Sequence, residues 1–458
     1  MDADRAAGTI RSRCLGRTRP DFLGAHAADP RRYPFLLESA SQGWPGARYD
    51  LLFVASGAQL LLGADGTLSG ETHGAQGFLQ GLDRWFAALA EPPGAGPLPF
   101  GGGWFLYLSY ELAREVEPRL QLPAGQGLIA GAFRTPAAAI YDHARGETWL
   151  VGEAGTEPLL AGLEALLATL PEAGPPPAAG AVAITEDEPQ RYLDAVGRAL
   201  EYIAAGDIYQ ANLARAWRAR LPAGLTAPEL YARLRRSNPG PFAGLAALPG
   251  MTVLSTSPER LVSARAGVVE TRPIAGTRPR RGDDAAVMRE LKANAKEQAE
   301  HVMLVDLERN DLGRISTAGS VVVDEFMSIE SYAHVHHIVS NVRGRLRPGT
   351  APGAIVRALF PGGTITGCPK VRCMEIIAEL EGVARGAYTG SFGYLGRDGS
   401  LDLNILIRTA TVRDAAAGRE LELRAGAGIV ADSDPAHELE ETRAKARGLL
   451  RALGAEAR

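Results

Sequence analysis

Two hydrophobic periods alternate along the chain. Leu193, Val196, Leu200 and Ile203 recur three or four residues apart and stop at Gly206, which predicts an amphipathic helix with a glycine terminus. Longer helices are predicted over Asp284–Asn310, Pro369–Glu381 and Pro435–Leu453, and alanine- and leucine-rich ones over Gly77–Leu89 and Glu157–Leu170. Strand-like runs occupy Tyr49–Leu62, Leu98–Tyr110, Ile208–Trp217, Thr252–Thr256, Val268–Thr271, Leu401–Val412 and Leu421–Ala425. In the run from Ile208, the two-residue period places Gln210 and Asn212 on one face. Strands and helices mix without a regular βαβ alternation, so the expected class is α+β, with large, mainly antiparallel sheets flanked by helices. No repeat of solenoid period is visible. Proline and glycine concentrate from Pro171 to Gly180, where neither helix nor central strand can form. This break suggests an N-terminal region, 1–180, and a second region, 181–458.

Composition narrows the function. The net charge of −4 over 458 residues leaves no basic tract for nucleic acid or a membrane surface. Cys14, Cys368 and Cys373 are too few and too scattered for a disulfide framework, which fits a reducing compartment. The first twenty residues lack the apolar stretch of a signal peptide, and Leu51–Leu62 is too short and interrupted to span a bilayer. A cytoplasmic protein is expected. Of 49 basic residues only four are lysine, at 292, 296, 370 and 445. Arginine fills the other basic positions, so each lysine marks a place where a compact ammonium is preferred to a planar guanidinium.

Several constellations can carry chemistry. Glu297 and Glu300 lie three apart on a predicted helix, as do Glu438 and Glu441, so each pair shares a face. Two such helices packed together would offer oxygen ligands to a hard cation, although the spacing alone equally describes solvated faces. The loop Pro361–Lys370 is rich in glycine and threonine and leads into a helix. It is either an anion cradle, helped by Lys370, or a tight structural turn, and it does not match a phosphate-binding loop. Ala425–Gly428 is a second glycine-rich turn. His334, His336 and His337 cluster within four residues, where the alternatives are proton transfer and ordinary polar packing. Glu259 follows a strand end, either as a buried general acid or as the ion-pair partner of Arg260.

Together these segments resemble the chorismate-utilising enzymes. The resemblance is dense from Ala205 to Leu453, through DLERNDLGRI (306–315), FPGGTITGCPKVRCMEIIAELE (360–381) and AGAGIVADSDP (425–435), and looser in RYPFLLES (32–39) and YLSYE (107–111). It implies the chorismate-binding fold and a magnesium ion held by Glu297, Glu300, Glu438 and Glu441 against the ring carboxylate. Arg408 and Tyr388 match contacts to the enolpyruvyl carboxylate, and Lys445 with the backbone around Gly426 and Gly428 matches further carboxylate-holding positions. Thr364 and His337 match residues beside the ring, and Glu259 matches the acid that helps the C4 hydroxyl depart. A dianionic substrate requires such cations and N–H donors.

The resemblance also implies a nucleophile. Relatives that add water carry a lysine base where this chain has Gln210, so ammonia is expected. Two branches of the family use it, one forming 4-amino-4-deoxychorismate on the way to 4-aminobenzoate and folate, the other anthranilate on the way to tryptophan. Segments around His337, Thr366–Lys370, Leu307–Arg309, Tyr388–Gly390 and Arg48–Asp50 resemble the first branch. Ala275, in Pro-Ile-Ala-Gly-Thr, has the form usual in the second, and it removes the lysine that many first-branch enzymes place there. The expectation is the 4-amino product, with anthranilate as its rival and a silent chorismate-binding subunit as the alternative of another kind. No cysteine sits in a glutaminase setting, so ammonia is expected from a separate glutamine amidotransferase subunit or from free ammonium. Glu38 and Ser39 match a tryptophan pocket of the N-terminal region, or belong to a plain core strand.

Overall fold

In a computed structural model, residues 11–40, 47–92, 96–171, 174, 182–280, 284–331, 335–415 and 418–454 are described. Most of the Pro171–Gly180 break, His334 and the side chains of Lys292 and Lys296 lie outside them. The fold is α+β, as expected, with two large antiparallel sheets of twelve and eleven strands. The sheets face each other across an aromatic core in which Phe35 of the first sheet stacks on Phe105 of the second at 4.1 Å, with Phe53, Phe133 and Phe392 around them. Helices cover both outer faces. Phe22–Ala28, Glu157–Thr169, Ala227–Ser237 and Pro435–Ala452 pack on the first sheet. Phe78–Leu89, Ala295–Gly313 and Pro352–Leu359 pack on the second. The strand Gly103–Leu108, Gly-Trp-Phe-Leu-Tyr-Leu, is buried along its whole length because both of its faces are covered.

The boundary at residue 180 separates sequence regions, but each sheet is built from both. Phe35–Glu38 pairs with Phe242–Leu248 in the first sheet, and Gly103–Leu108 pairs with Ser391–Gly396 in the second. Three expected elements are each two. The run Tyr49–Leu62 splits into Tyr49–Val54 in the first sheet and Gln59–Gly63 in the second. Leu401–Val412 splits likewise into Leu401–Asn404 and Thr409–Ala415, with Arg408 between them at φ +52°. The helix expected over Asp284–Asn310 is Asp284–Ala293 followed by Ala295–Gly313. Asn294 makes that break, since its side-chain oxygen accepts the Glu297 N–H at 3.1 Å as an N-cap.

Candidate active site

The N-cap at Asn294 puts Glu297 in the first turn of its helix and Glu300 one turn on. Asp434 starts the other acidic helix in the same way, accepting the His437 N–H at 2.8 Å. Between the two helices lie the start of the Gln210–Leu221 strand and the end of the Gly418–Ile429 strand, in register as Asn212 with Gly428 and Ala214 with Gly426. Glycine is required at 426, where a Cβ would meet the Leu213 carbonyl at 2.6 Å, and at 428 it leaves room for the Gln210 side chain. A Cβ on Gly428 would come within 2.4 Å of Gln210 Nε2, and one on Gly426 within 2.7 Å of Asn212 Oδ1 and 2.8 Å of the Tyr388 hydroxyl. The bare backbone therefore lets Gln210, Asn212 and Tyr388 reach the same floor.

Over that floor the two acidic helices approach each other through Glu300 and Glu441, while Glu297 and Glu300 stay outside the closest group of ligand atoms. Glu300 accepts from Gln210 Nε2 at 2.8 Å. Burial raises its pKa, as do Glu441 and Glu297, against the pull of Gln210 and Lys445. Burial and the neighbouring Glu441 likewise raise Glu438. His437, Glu438 and Glu441 bring ligand atoms within 4.8 Å of one another. Lys445 Nζ sits 2.7 Å from Glu441 and donates to the Gly426 carbonyl at 3.0 Å. Arg278 pairs with one oxygen of Glu297 and leaves the other, Oε2, buried without a partner. Buried carboxylates that raise one another, with an orphaned oxygen among them, suit a hard divalent cation with oxygen ligands. The residues fit magnesium, with Lys445 and Arg278 as the cations that share the acids.

Glu259 stands at the second sheet's edge of the site. It is buried, and Thr364 donates to it at 2.7 Å from the 3-10 turn Gly363–Ile365. Burial, with Glu308 nearby, pushes Glu259 up to about 8, so it holds its proton at neutral pH. The ion pair with Arg260 does not form, since Arg260 instead makes a bidentate bridge to Asp402 at 2.9 Å. A further wall holds His337, Arg408 and Tyr388. Burial, then the Arg408 charge, drives His337 down to about 3 and keeps its imidazole neutral. Burial lifts Tyr388 to about 12. The Arg408 guanidinium is held by Asn238 at 3.3 Å. Ala275 is buried and pairs with Ile338, while Thr277 of the same strand pairs with His337.

The geometry has a counterpart among known proteins. Residues 34–451 match the family model described as chorismate binding enzyme. The chain belongs to that family. A chorismate-binding enzyme of this kind is 44% identical over 363 residues to an anthranilate synthase component I-like protein of Synechocystis, covering 78% of this chain and 73% of that one. It is 40% identical over 455 residues to aminodeoxychorismate synthase component 1 of Bacillus subtilis, covering 93% of each. Its fold matches the crystal structure of anthranilate synthase component I from Streptococcus pneumoniae with a TM-score of 0.77 and 30% identity, over 90% of this chain and 93% of that one. Relatives of both branches thus stand at similar distance.

In this chorismate-binding enzyme Glu38, Ser39 and Lys370 stand apart from the acidic pairs. Glu38 and Ser39 line a separate cavity of about 70 Å³ with Tyr49, Phe392 and Asn404. There Glu38 pairs with Arg235 at 2.7 Å, and the Ser39 hydroxyl donates to the Tyr49 carbonyl. Lys370 does not reach the anion position of its loop; it pairs with Asp311. Sequence reasoning missed Asn212, whose buried Oδ1 has no partner, although it shares Gln210's face. It also missed Arg385, which clamps Glu381 at 2.6 and 3.0 Å while donating to the Ile365 and Asn212 carbonyls at 3.1 and 2.6 Å. That clamp ties the threonine loop to the Gln210 strand. No helix among the described residues is long and apolar enough to cross a membrane.

Proposed function

We propose that this enzyme aminates chorismate to 4-amino-4-deoxychorismate as component I of an aminodeoxychorismate synthase, with magnesium as cofactor and ammonia from a glutamine amidotransferase partner or free ammonium. The observation that carries the reading is Glu259, a buried acid still protonated at neutral pH, hydrogen-bonded to Thr364 and near the acidic pairs. Glu297, Glu300, Glu438 and Glu441 would hold the magnesium ion, whose charge would draw electrons from the ring through the C1 carboxylate. Arg408 and Tyr388 orient the enolpyruvyl carboxylate. Glu259 gives its proton to the departing C4 hydroxyl, which leaves as water while ammonia or water bonds to C2 and gives up a proton. Ammonia then bonds to C4 as the C2 substituent leaves. In net terms one ammonia enters and one water departs.

Two features support ammonia and the 4-amino product. The Gln210 amide is engaged with Glu300 and carries no basic nitrogen, so no lysine-like base stands there to activate water. Loss of pyruvate to give anthranilate would need a base at C2, and the buried His337 at about 3 is a weak one. Ala275 favours the rival reading, anthranilate synthase component I, because a small buried side chain offers no nucleophile for a covalent step at C2. Product identity decides between them. Incubation with chorismate, magnesium and ammonium should give a compound converted to 4-aminobenzoate only when the corresponding lyase is added. Direct appearance of anthranilate would replace this reading with the rival one.

A further inference from the structure

Glu308 is buried on the inner face of the Ala295–Gly313 helix and takes no part in the chemistry above. Two successive residues of the 3-10 turn face two acids. The Thr364 hydroxyl donates to Glu259 at 2.7 Å, and a Cβ on Gly363 would lie 3.4 Å from Glu308 Oε1, so both carboxyls stand against one turn, out of water. Around Glu308 are the Thr271 hydroxyl from one strand, Asp311 one turn along its own helix, and Lys370 at the start of the Lys370–Glu381 helix. The lysine is engaged by Asp311 and also donates to the Leu359 carbonyl at 3.5 Å. Facing Glu259 are Thr364, the Ile274 N–H, Glu308 and, from the Pro435–Ala452 helix, Lys445.

We propose that Glu308 is a positioning residue which takes the negative charge of this carboxyl pair and thereby holds the transferable proton on Glu259. Two acids sharing one dry site do not both ionise, and the proton goes to the less well solvated partner. Glu308 has the field of Lys370, with Thr271 and the Gly363 backbone beside it, to stabilise its anion. Burial and the neighbouring Asp311 nevertheless bring it up to about 7, in the same range as its partner. Glu259 is raised above its unfolded value, so its acid form is complete below about 8 and is lost as pH rises through that value.

This inference rests on Glu259 as the acid for the C4 hydroxyl, and its test separates it from the choice of reaction. Infrared titration of the full chain reads buried protonated carboxyls directly, without substrate. The wild type should lose two such groups between about pH 6 and 9. Glu308→Gln should abolish one and move the other lower by roughly one pH unit, whereas Glu308→Asp, which keeps the charge, should restore it. In turnover at fixed free ammonia, the basic limb of the pH profile should move by the same amount in Glu308→Gln, with KM for chorismate little changed. An unmoved limb and an unmoved band in Glu308→Gln would overturn the proposal. Should that variant not fold, a wild type with no carboxyl titrating above pH 6 would do the same. Failure of the wild type to consume chorismate would sink the proposed function and leave the infrared comparison standing.

Discussion

Buried acids are treated in opposite ways in two parts of this molecule. Beside the small cavity of the N-terminal strands, Asp50 is enclosed, yet His143, Arg19 and the Ser39 N–H outweigh burial and hold it below the usual carboxylate range. Asp142 is kept low in the same way, burial being overcome by the Arg48 fork and the Ala144 N–H. At the chorismate site Glu259, Glu300, Glu308 and Glu438 are all raised, with burial the leading cause and other carboxylates adding to it. Raised acids are not confined to the site, since burial also lifts Glu111 and Asp83. What sets the site apart is that its carboxylates raise one another, and a cation bound among Glu297, Glu300, Glu438 and Glu441 would relieve that repulsion.

The contrast can be broken first at a matched pair. Arg385→Met would leave Glu381 uncompensated in the core and cost about 3–5 kcal/mol in urea unfolding, with much of it recovered in the Arg385→Met/Glu381→Met double variant. At the unmatched site the outcome should reverse. Glu300→Gln or Glu441→Gln should lower turnover by roughly 10²–10³-fold, while the urea midpoint stays level or rises because one repelling charge has gone. Near-normal rates would remove these residues from the cation site.

The two regions should also part in their pH dependence. Asp50 has a depressed folded pKa, so its stabilisation is present above the ordinary carboxylate range and fades as pH falls. Glu259 is raised to about 8, so between its unfolded value and about 8 the folded state binds more protons and stability declines with rising pH. Unfolding midpoints from pH 5 to 8 should show that decline, and Glu259→Gln should flatten it. The smallest effect is metal linkage. Magnesium at ten times its dissociation constant should raise stability by about 1.4 kcal/mol without substrate, and Glu441→Gln should lose that response. Equal responses in the two proteins would place the ion elsewhere.

Much of the site was legible because motif residues sit on regular elements. Glu297 and Glu300, like Glu438 and Glu441, needed only a helical period to share a face. What the sequence hid was long-range. An apolar run carries no mark of which sheet it joins, so Tyr49–Leu62 and Leu401–Val412 read as single strands although each crosses from one sheet to the other. The break at Asn294 lay within a pattern that helices tolerate, and only its cap hydrogen bond exposes it. One reading has Lys370 aid an anion in its loop, and an alternative has Arg260 partner Glu259. Each found a better partner from a distant segment, Asp311 and Asp402. The same blindness hid Arg385 and Glu308, whose roles depend on neighbours far along the chain.

The interleaving of the sheets bears on how the protein is made. Leu36 pairs with Leu52 on one side, but its partner on the other side is Leu245, about 200 residues later, which at ribosomal speeds is a wait of roughly 10–40 s. Through that interval the early strands present unsatisfied edges to the crowded cell. Expressing the first 180 residues alone should therefore yield a chaperone client or an aggregate, and splitting the gene at its proline-rich seam should give halves that recover the native form only when produced together.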